Sequence, residues 1–166
     1  MDTILDVISY FHEHYPCKTC LSVAWVKDLM YLADWKSVLM HGSPITHVEW
    51  VFGDTGPKSD KIIQSIIEYK ENNPFWMVDL GAVPDTMKSA IKHEMKGYTI
   101  SSEVREVLDH VVTNTSDLDR NGLTKLVYST FPMLSRPRYA VFDMENIAKE
   151  YAAFLVRIRP LASKNG

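Results

Sequence analysis

The most prominent pattern along the chain is a long run of apolar residues that begins just after Ser22. The apolar positions of this run are Val23, Trp25, Val26, Leu29, Met30, Leu32, Ala33, Trp35, Val38 and Leu39. They leave only a narrow polar stripe on a helix that ends at about Met40, before Gly42 and Pro44. Ser22 is a favourable N-cap for this helix. The pattern therefore predicts a central helix that is buried on most of its sides.

Shorter amphipathic patterns predict further helices on both sides of the central one. The first runs from Asp2 to about Tyr15, and another begins at a cap on Ser59 and is closed by Asn72-Asn73-Pro74. The later helices run from Pro84 to about Met95, from Ser101 or Ser102 to about Asn114, from Asp119 to Phe131 before Pro132, and from a cap on Asp143 to about Ile158. We expect residues 161–166 to form a frayed tail, because polar chain ends are often poorly ordered.

Two short segments have the β-branched and aromatic content that is typical of strands. The first runs from Ile45 to Phe52 and ends at the turn cluster Gly53-Asp54-Thr55-Gly56-Pro57. The second runs from Phe75 to Leu80, and we expect the two to pair in a small sheet. The predicted fold is mainly α, with about seven helices around a buried central helix and a two- or three-stranded β element. Residues 1–160 are predicted to form a single domain.

Length and charge narrow the classes of protein to consider. A chain of 166 residues that is 46% apolar can fill one domain core. Its net charge of −3 leaves no excess of basic residues to neutralise phosphates, so nucleic-acid binding is not expected. The chain has no run of roughly 18 apolar residues for a membrane span. Because Met1-Asp2-Thr3 lacks the basic start of a signal peptide, we expect a cytoplasmic protein.

One cluster has the chemistry of metal ligands, namely His12, His14, Cys17 and Cys20. Two histidines spaced by two residues on a helix point to nearly opposite sides, which disfavours a shared zinc ion. The favoured interpretation is a pair of free thiols in a turn between helices, with a zinc-dependent module or a thioredoxin-type redox pair as alternatives.

No motif for a phosphate loop, a nucleophile elbow or a zinc protease is present in the sequence. The sequence therefore predicts neither an enzyme nor a cofactor. An acid–base pair of histidine and carboxylate from distant positions stays open as an alternative.

Aromatic and basic residues provide the candidates for partner binding. The predicted strands place aromatic side chains together, and these are the usual energetic anchors of protein interfaces. A connector near Pro137 adds two arginines and a tyrosine, which we expect at the rim of an interface with an acidic partner. The candidates are Trp50, Phe52, Trp76, Arg136, Arg138 and Tyr139. Plain packing of the tryptophans and a solvated connector are the alternatives.

The order of these elements resembles the Panacea domain, the SocA-like antitoxin family. A helix of the family type "KLLYLAD-W" is matched by the segment Leu29–Trp35, which includes Tyr31. A later "GP" turn is matched by Gly56-Pro57, and a later helix of the type "S-x-E…V-L-D-x-V" by Ser101–Val111. The following "H…P-W" segment is matched only at Pro132. Here Tyr128 stands where the family often has His, and Met133 where it often has Trp.

The resemblance implies a compact helical protein that binds and neutralises a cognate toxin encoded beside it. One branch of the family is an adaptor that delivers its toxin to an ATP-dependent protease. The domain also occurs in phage and mobile-element proteins, which makes a defence or counter-defence role an alternative. Each of these roles rests on contact between proteins and needs no catalytic residue.

Overall fold

The computed structural model describes residues 3–73, 84–87 and 98–164. Within these residues the chain forms seven α-helices and a small antiparallel sheet. The helices are α1 (Thr3–His14), α2 (Val23–His41), α3 (Asp60–Asn72), α4 (Ser102–Thr115), α5 (Arg120–Tyr128), α6 (Phe131–Ser135) and α7 (Met144–Lys164). The strands are β1 (Trp50–Gly53), β2 (Gly56–Lys58) and β3 (Val141–Phe142), in the order β2-β1-β3. The prediction of a mainly helical fold with a small β element is confirmed.

Helix α2 lies at the centre of the fold, as its apolar pattern predicts. It contacts α1, α3, α4, α5 and α7, and most of its residues are buried. The Ser22 side chain accepts a hydrogen bond from the Trp25 backbone N–H, and Gly42 ends the helix with a φ of 83°. Local sequence signals thus set both ends of the central helix.

Side-chain caps at three other helices also agree with the sequence, whereas Ser59, the predicted cap of α3, makes no side-chain capping bond. Ser101 accepts a bond from a backbone N–H at the start of α4, Asp119 does so at α5, and Asp143 at α7. Helix α5, however, ends at Tyr128 rather than at Phe131. Pro132 does not interrupt α5, because it lies in the first turn of the separate helix α6, where a missing N–H breaks no helical bond.

The glycine-proline pair of the predicted turn belongs to a strand. Gly53 pairs with Gly56 and Phe52 with Pro57, so the turn itself consists of Asp54 and Thr55. Because β2 is an edge strand, a proline without a backbone N–H is tolerated there. A Cβ on Gly53 would lie 2.9 Å from the Gly56 carbonyl oxygen, so this tight hairpin requires glycine.

The second neighbour of β1 is β3, which the sequence pattern did not predict. Val51 pairs with Val141 and Trp50 with Phe142. The predicted strand 75–80 lies outside the described residues, and so does most of the predicted helix 84–95. A strand of two residues is too short to produce a recognisable alternation of apolar and polar positions.

Helix α7 is longer than the sequence suggested. It continues through Pro160 to Lys164, into the segment expected to fray. Its first half packs on the core through Met144 and Ile147, which are both buried.

A buried carboxylate joins α2 to the segment that leads into the sheet. Asp34 accepts hydrogen bonds from the backbone N–H groups of Ile45 and Thr46, both at 2.9 Å, and from the Thr46 hydroxyl at 2.5 Å. The two backbone N–H groups bind Oδ1, whereas the Thr46 hydroxyl binds Oδ2, to which the Trp50 indole N–H also donates at 2.8 Å. Burial raises the pKa of Asp34, and the bonds from Thr46 and Trp50 act against that rise.

A second buried carboxylate joins α2 to α5. The Asp28 carboxylate contacts Lys27 Nζ at 2.9 Å and the Arg120 guanidinium at 2.6 Å, and its side chain is 3% exposed. Buried charges are stable only when they are paired in this way. A Cβ placed on Gly56 of β2 would lie within 4 Å of Lys27 Nζ and of the Tyr128 ring. The hairpin, α2 and α5 therefore meet at this point.

We expect Trp50→Phe to lower the free energy of unfolding by about 1–3 kcal/mol beyond the loss of packing, because a buried carboxylate loses a donor. Trp25→Phe is the matched control, since the Trp25 indole N–H is buried without a hydrogen-bond partner among the described residues. Urea unfolding followed by circular dichroism measures both variants. Equal destabilisation by the two changes would contradict the role of the bond to Asp34.

Candidate partner-binding surface

The connector after α6 lies across the tip of the β1–β2 hairpin. The backbone N–H of Tyr139 donates to the Phe52 carbonyl at 2.8 Å, and the Phe52 N–H donates to the Ala140 carbonyl at 2.9 Å. These bonds continue the pairing of β3 with β1. The connector is therefore attached to the sheet through its backbone.

Side chains complete the contact between connector and hairpin. The Tyr139 hydroxyl donates to Asp54 Oδ1 at 2.6 Å, and an Arg138 N–H donates to the Asp54 carbonyl at 3.3 Å. The Arg138 guanidinium also lies 5.9 Å from the centre of the Phe52 ring. We call Phe52, Asp54, Arg138 and Tyr139 the hairpin surface. Three of these four residues are sequence-predicted candidates for partner binding.

The backbone at Tyr139 adopts a conformation that is uncommon for a residue with a side chain. Its φ is 70°, in the left-handed region, which costs roughly 1–2 kcal/mol for a residue other than glycine. The bonds to Phe52 and Asp54 maintain this conformation and present a ring that is 67% exposed. Backbone strain of this kind tends to occur at functional positions.

The hairpin surface contains one acidic and one basic side chain, those of Asp54 and Arg138. The hydrogen bond to Asp54, followed by the negative charge of Asp54, raises the pKa of Tyr139, and Arg138 acts in the opposite direction. Tyr139 therefore keeps its proton and its donor role at neutral pH. The surface presents a neutral aromatic ring beside a guanidinium and a carboxylate.

Aromatic packing beneath the hairpin surface fixes its position on α2. The Phe52 ring lies 6.3 Å from the Phe142 ring and 6.2 Å from the Tyr128 ring, both in edge-on contact. Below them, Tyr31 of α2 contacts Trp50 at 5.5 Å and Phe142 at 6.2 Å. Ring pairs at these distances favour specific relative orientations.

Trp50, predicted to lie on the exposed aromatic face, is in the core instead. Its side chain is 0% exposed and its indole binds Asp34. The prediction of a surface contact at Trp50 is therefore wrong, because a buried acceptor on α2 draws the indole inward. Trp76 lies outside the described residues. The Arg136 guanidinium donates to the Glu150 carboxylate of α7 at 2.9 Å.

The residues that carry the family resemblance occupy the core and the sheet. Tyr31 and Trp35 are buried in α2, and Pro132 is buried in α6. Gly56 and Pro57 are buried in β2.

Asp54 is the member of the hairpin surface that the sequence analysis missed. Its place between two glycines indicated a turn, but nothing in the sequence identified a partner 85 positions away. Val141, which is 56% exposed in β3, was missed together with its strand.

The histidine and cysteine cluster does not form a metal site. Cys17 and Cys20 form a disulfide, because a short 3₁₀ turn brings their Cα atoms to 5.3 Å. The prediction of free thiols is therefore wrong. His12 contacts the Tyr69 hydroxyl at 3.3 Å and His14 the Tyr98 hydroxyl at 2.7 Å. In the part of the chain that the structure describes, no three histidine, cysteine or acidic side chains are placed to hold a metal ion.

The model of the family described as "Antitoxin SocA-like, Panacea domain" matches residues 27–131. Because this match covers more than half of the chain, the protein belongs to that family. The match begins in α2 and ends at Phe131, so it includes the hairpin and leaves out β3 and α7. No curated protein and no solved structure matches the chain.

Membership of an antitoxin family favours an antitoxin-type, non-catalytic protein. Among the helices of the described ranges, none combines the length and the apolar content needed to cross a membrane.

The contact of Arg136 with α7 predicts a pKa change. The hydrogen bond from Arg136 lowers the pKa of Glu150, so the contact contributes stability at neutral pH and loses it as the pH falls through that lowered value. We expect Arg136→Gln to raise the pKa of Glu150 towards its usual value, as measured by NMR titration of the carboxyl carbon. Arg138→Gln is the control and should leave this titration unchanged. An unaltered pKa of Glu150 in Arg136→Gln would show that the contact is absent in solution.

Proposed function

We propose that this protein is an antitoxin that neutralises a cognate toxin by direct, stoichiometric contact through the hairpin surface. Family membership supports the antitoxin class, and the observation that supports this contact site is the fixed, exposed ring of Tyr139. We place the interaction in the cytoplasm, with no nucleic acid involved, and we treat residues 1–160 as one domain.

The hairpin surface has the properties of an interface anchor. Tyr139 is largely exposed, yet its backbone and its hydroxyl are already held by hydrogen bonds. Because Tyr139 is already ordered, it loses little conformational entropy when a partner binds. Such pre-organisation increases affinity. Arg138 adds a donor beside the ring, and tyrosine and arginine are common among the residues that dominate binding energy.

Masking is the mechanism that this surface favours. A rigid surface that covers the active part of a toxin needs only to stay bound, whereas an adaptor also needs a contact with an ATP-dependent protease. The two mechanisms differ in a measurable way, because masking persists in a host that lacks such proteases.

The protein should be produced together with the product of the adjacent reading frame, in host strains with and without ATP-dependent proteases. We expect growth to be restored in both strains and a complex of fixed stoichiometry to co-purify. Failure of growth rescue together with absence of a complex would contradict the proposal. Rescue only in the strain that contains the proteases would indicate an adaptor.

Tyr139→Asn tests the contact site, because asparagine tolerates the left-handed backbone while the aromatic ring is removed. We expect Kd for the co-purifying partner to rise by about tenfold or more, with a melting temperature within about 2 °C of the parent. Arg138→Glu should act in the same direction. Lys61→Glu, the same kind of charge change at an exposed position on α3, is the control. If neither variant of the hairpin surface weakens a complex that the parent forms, the contact lies elsewhere.

A further inference from the structure

Helix α7 carries an apolar stripe that is only half covered. Met144, Ile147 and Tyr151 lie on the side that packs against the body of the protein. At the same helical spacing the stripe continues with Phe154, Leu155 and Ile158, which are 39%, 42% and 38% exposed. Every residue from 152 to 160 is exposed. The Phe154 ring stacks on the Phe131 ring of α6, with the ring centres 5.7 Å apart. The second half of α7 therefore has a core-type face that the described part of the chain covers only in part.

The uncovered stripe is continuous with an apolar groove on the body of the protein. The groove has a volume of about 420 Å³ and lies between α7 and the end of α2. Leu155 and Tyr151 line it from α7, and Val38 and Leu39 line it from α2. One acidic and one basic residue of α7, Glu145 and Lys149, also lie on its wall. Leu39 is itself 41% exposed. A partner that covers the stripe also fills this groove, and apolar patches of this kind mark interaction sites.

The charge of this segment indicates the chemistry of the partner. The chain has 21 acidic residues, and none of them lies after Glu150, whereas Arg157, Arg159 and Lys164 do. The whole chain has a net charge of −3, but the charged residues after Glu150 are all basic. Complementary charges around an apolar centre fix the orientation of a partner and increase the association rate.

A second copy of the chain does not fit this surface well. Symmetric pairing of two α7 helices would bring Arg157 and Arg159 of both copies to one interface, where the nearest acidic residue of α7, Glu150, is already bound by Arg136 at 2.9 Å. Like charges placed together in an interface are unfavourable. A partner protein with an acidic rim is therefore the better match.

We infer that the second half of α7 is a docking helix for the toxin, with Leu155 and Ile158 entering an apolar groove whose rim carries carboxylates. This inference rests on the proposed function and adds a second contact to the hairpin surface. The helix lies beyond residue 131, where the family match ends, so it is not part of the matched domain. It binds as an amphipathic helix in a groove, with anchors at intervals of three and four residues.

The test uses the full chain and the product of the adjacent reading frame, with Kd measured by calorimetry. Leu155→Ser/Ile158→Ser should raise Kd by about tenfold or more. Val156→Ser is the matched control, because Val156 is 68% exposed and lies off the stripe, and its Kd should stay within about twofold of the parent. Circular dichroism checks the helix content of each variant.

A charge-reversed variant keeps the test decisive if the serine variant loses helix content. Arg157→Glu/Arg159→Glu should slow association several-fold and weaken its dependence on salt. Unchanged association in this variant would contradict an acidic rim on the partner.

The remaining outcomes separate this inference from the proposed function. A complex that forms equally well with the parent and with Leu155→Ser/Ile158→Ser overturns the docking helix and leaves the antitoxin proposal intact. Absence of any complex with the parent removes both. If the parent alone sediments as a dimer and the serine variant as a monomer, the stripe is a self-association site and the inference is wrong.

Discussion

The enclosed carboxylate of Asp34 is the interaction on which the rest of the structure depends. A carboxylate in the interior is tolerated only when several donors surround it, and α2 cannot provide them from its own backbone. The donors come from Ile45 and Thr46 in the segment that leaves the helix, and from Trp50 at the start of β1. Because these donors follow Gly42 in the chain, their hydrogen bonds to Asp34 hold the chain back across α2. The same bonds fix the position at which the hairpin begins.

The hairpin connects the buried Asp34 site to the surface of the protein. Trp50 and Tyr31 form the lower layer of aromatic rings, and Phe52 and Phe142 form the layer above them. The strand that contains Phe142 also sets the position of Tyr139, because the connector joins β1 through backbone hydrogen bonds. A buried acid and an exposed tyrosine are thus parts of one arrangement. The deepest charged groups serve to hold the fold together, and the groups available to a partner lie on a surface that this fold makes rigid.

The two proposed contact regions differ in physical character. Tyr139 is held before binding by bonds to its own chain, which suits an anchor that fixes orientation. The stripe of α7 is apolar and open, and its flanking arginines are the concentrated positive charge of an otherwise acidic chain. An interface that combines a rigid polar contact with a basic apolar helix requires complementary shape and complementary charge from the same partner.

The sequence by itself determined what depends on neighbouring residues: the central helix with its cap at Ser22, the cap at Asp119 and the apolar stripe of α7. These features follow from side-chain spacing and from hydrogen bonds within one turn, so a single segment contains the whole signal. Only the tertiary structure decided that Trp50 is buried and that Tyr139 meets Asp54. Each of those results requires a partner from a distant part of the chain, and long-range pairing leaves no periodic trace in the sequence.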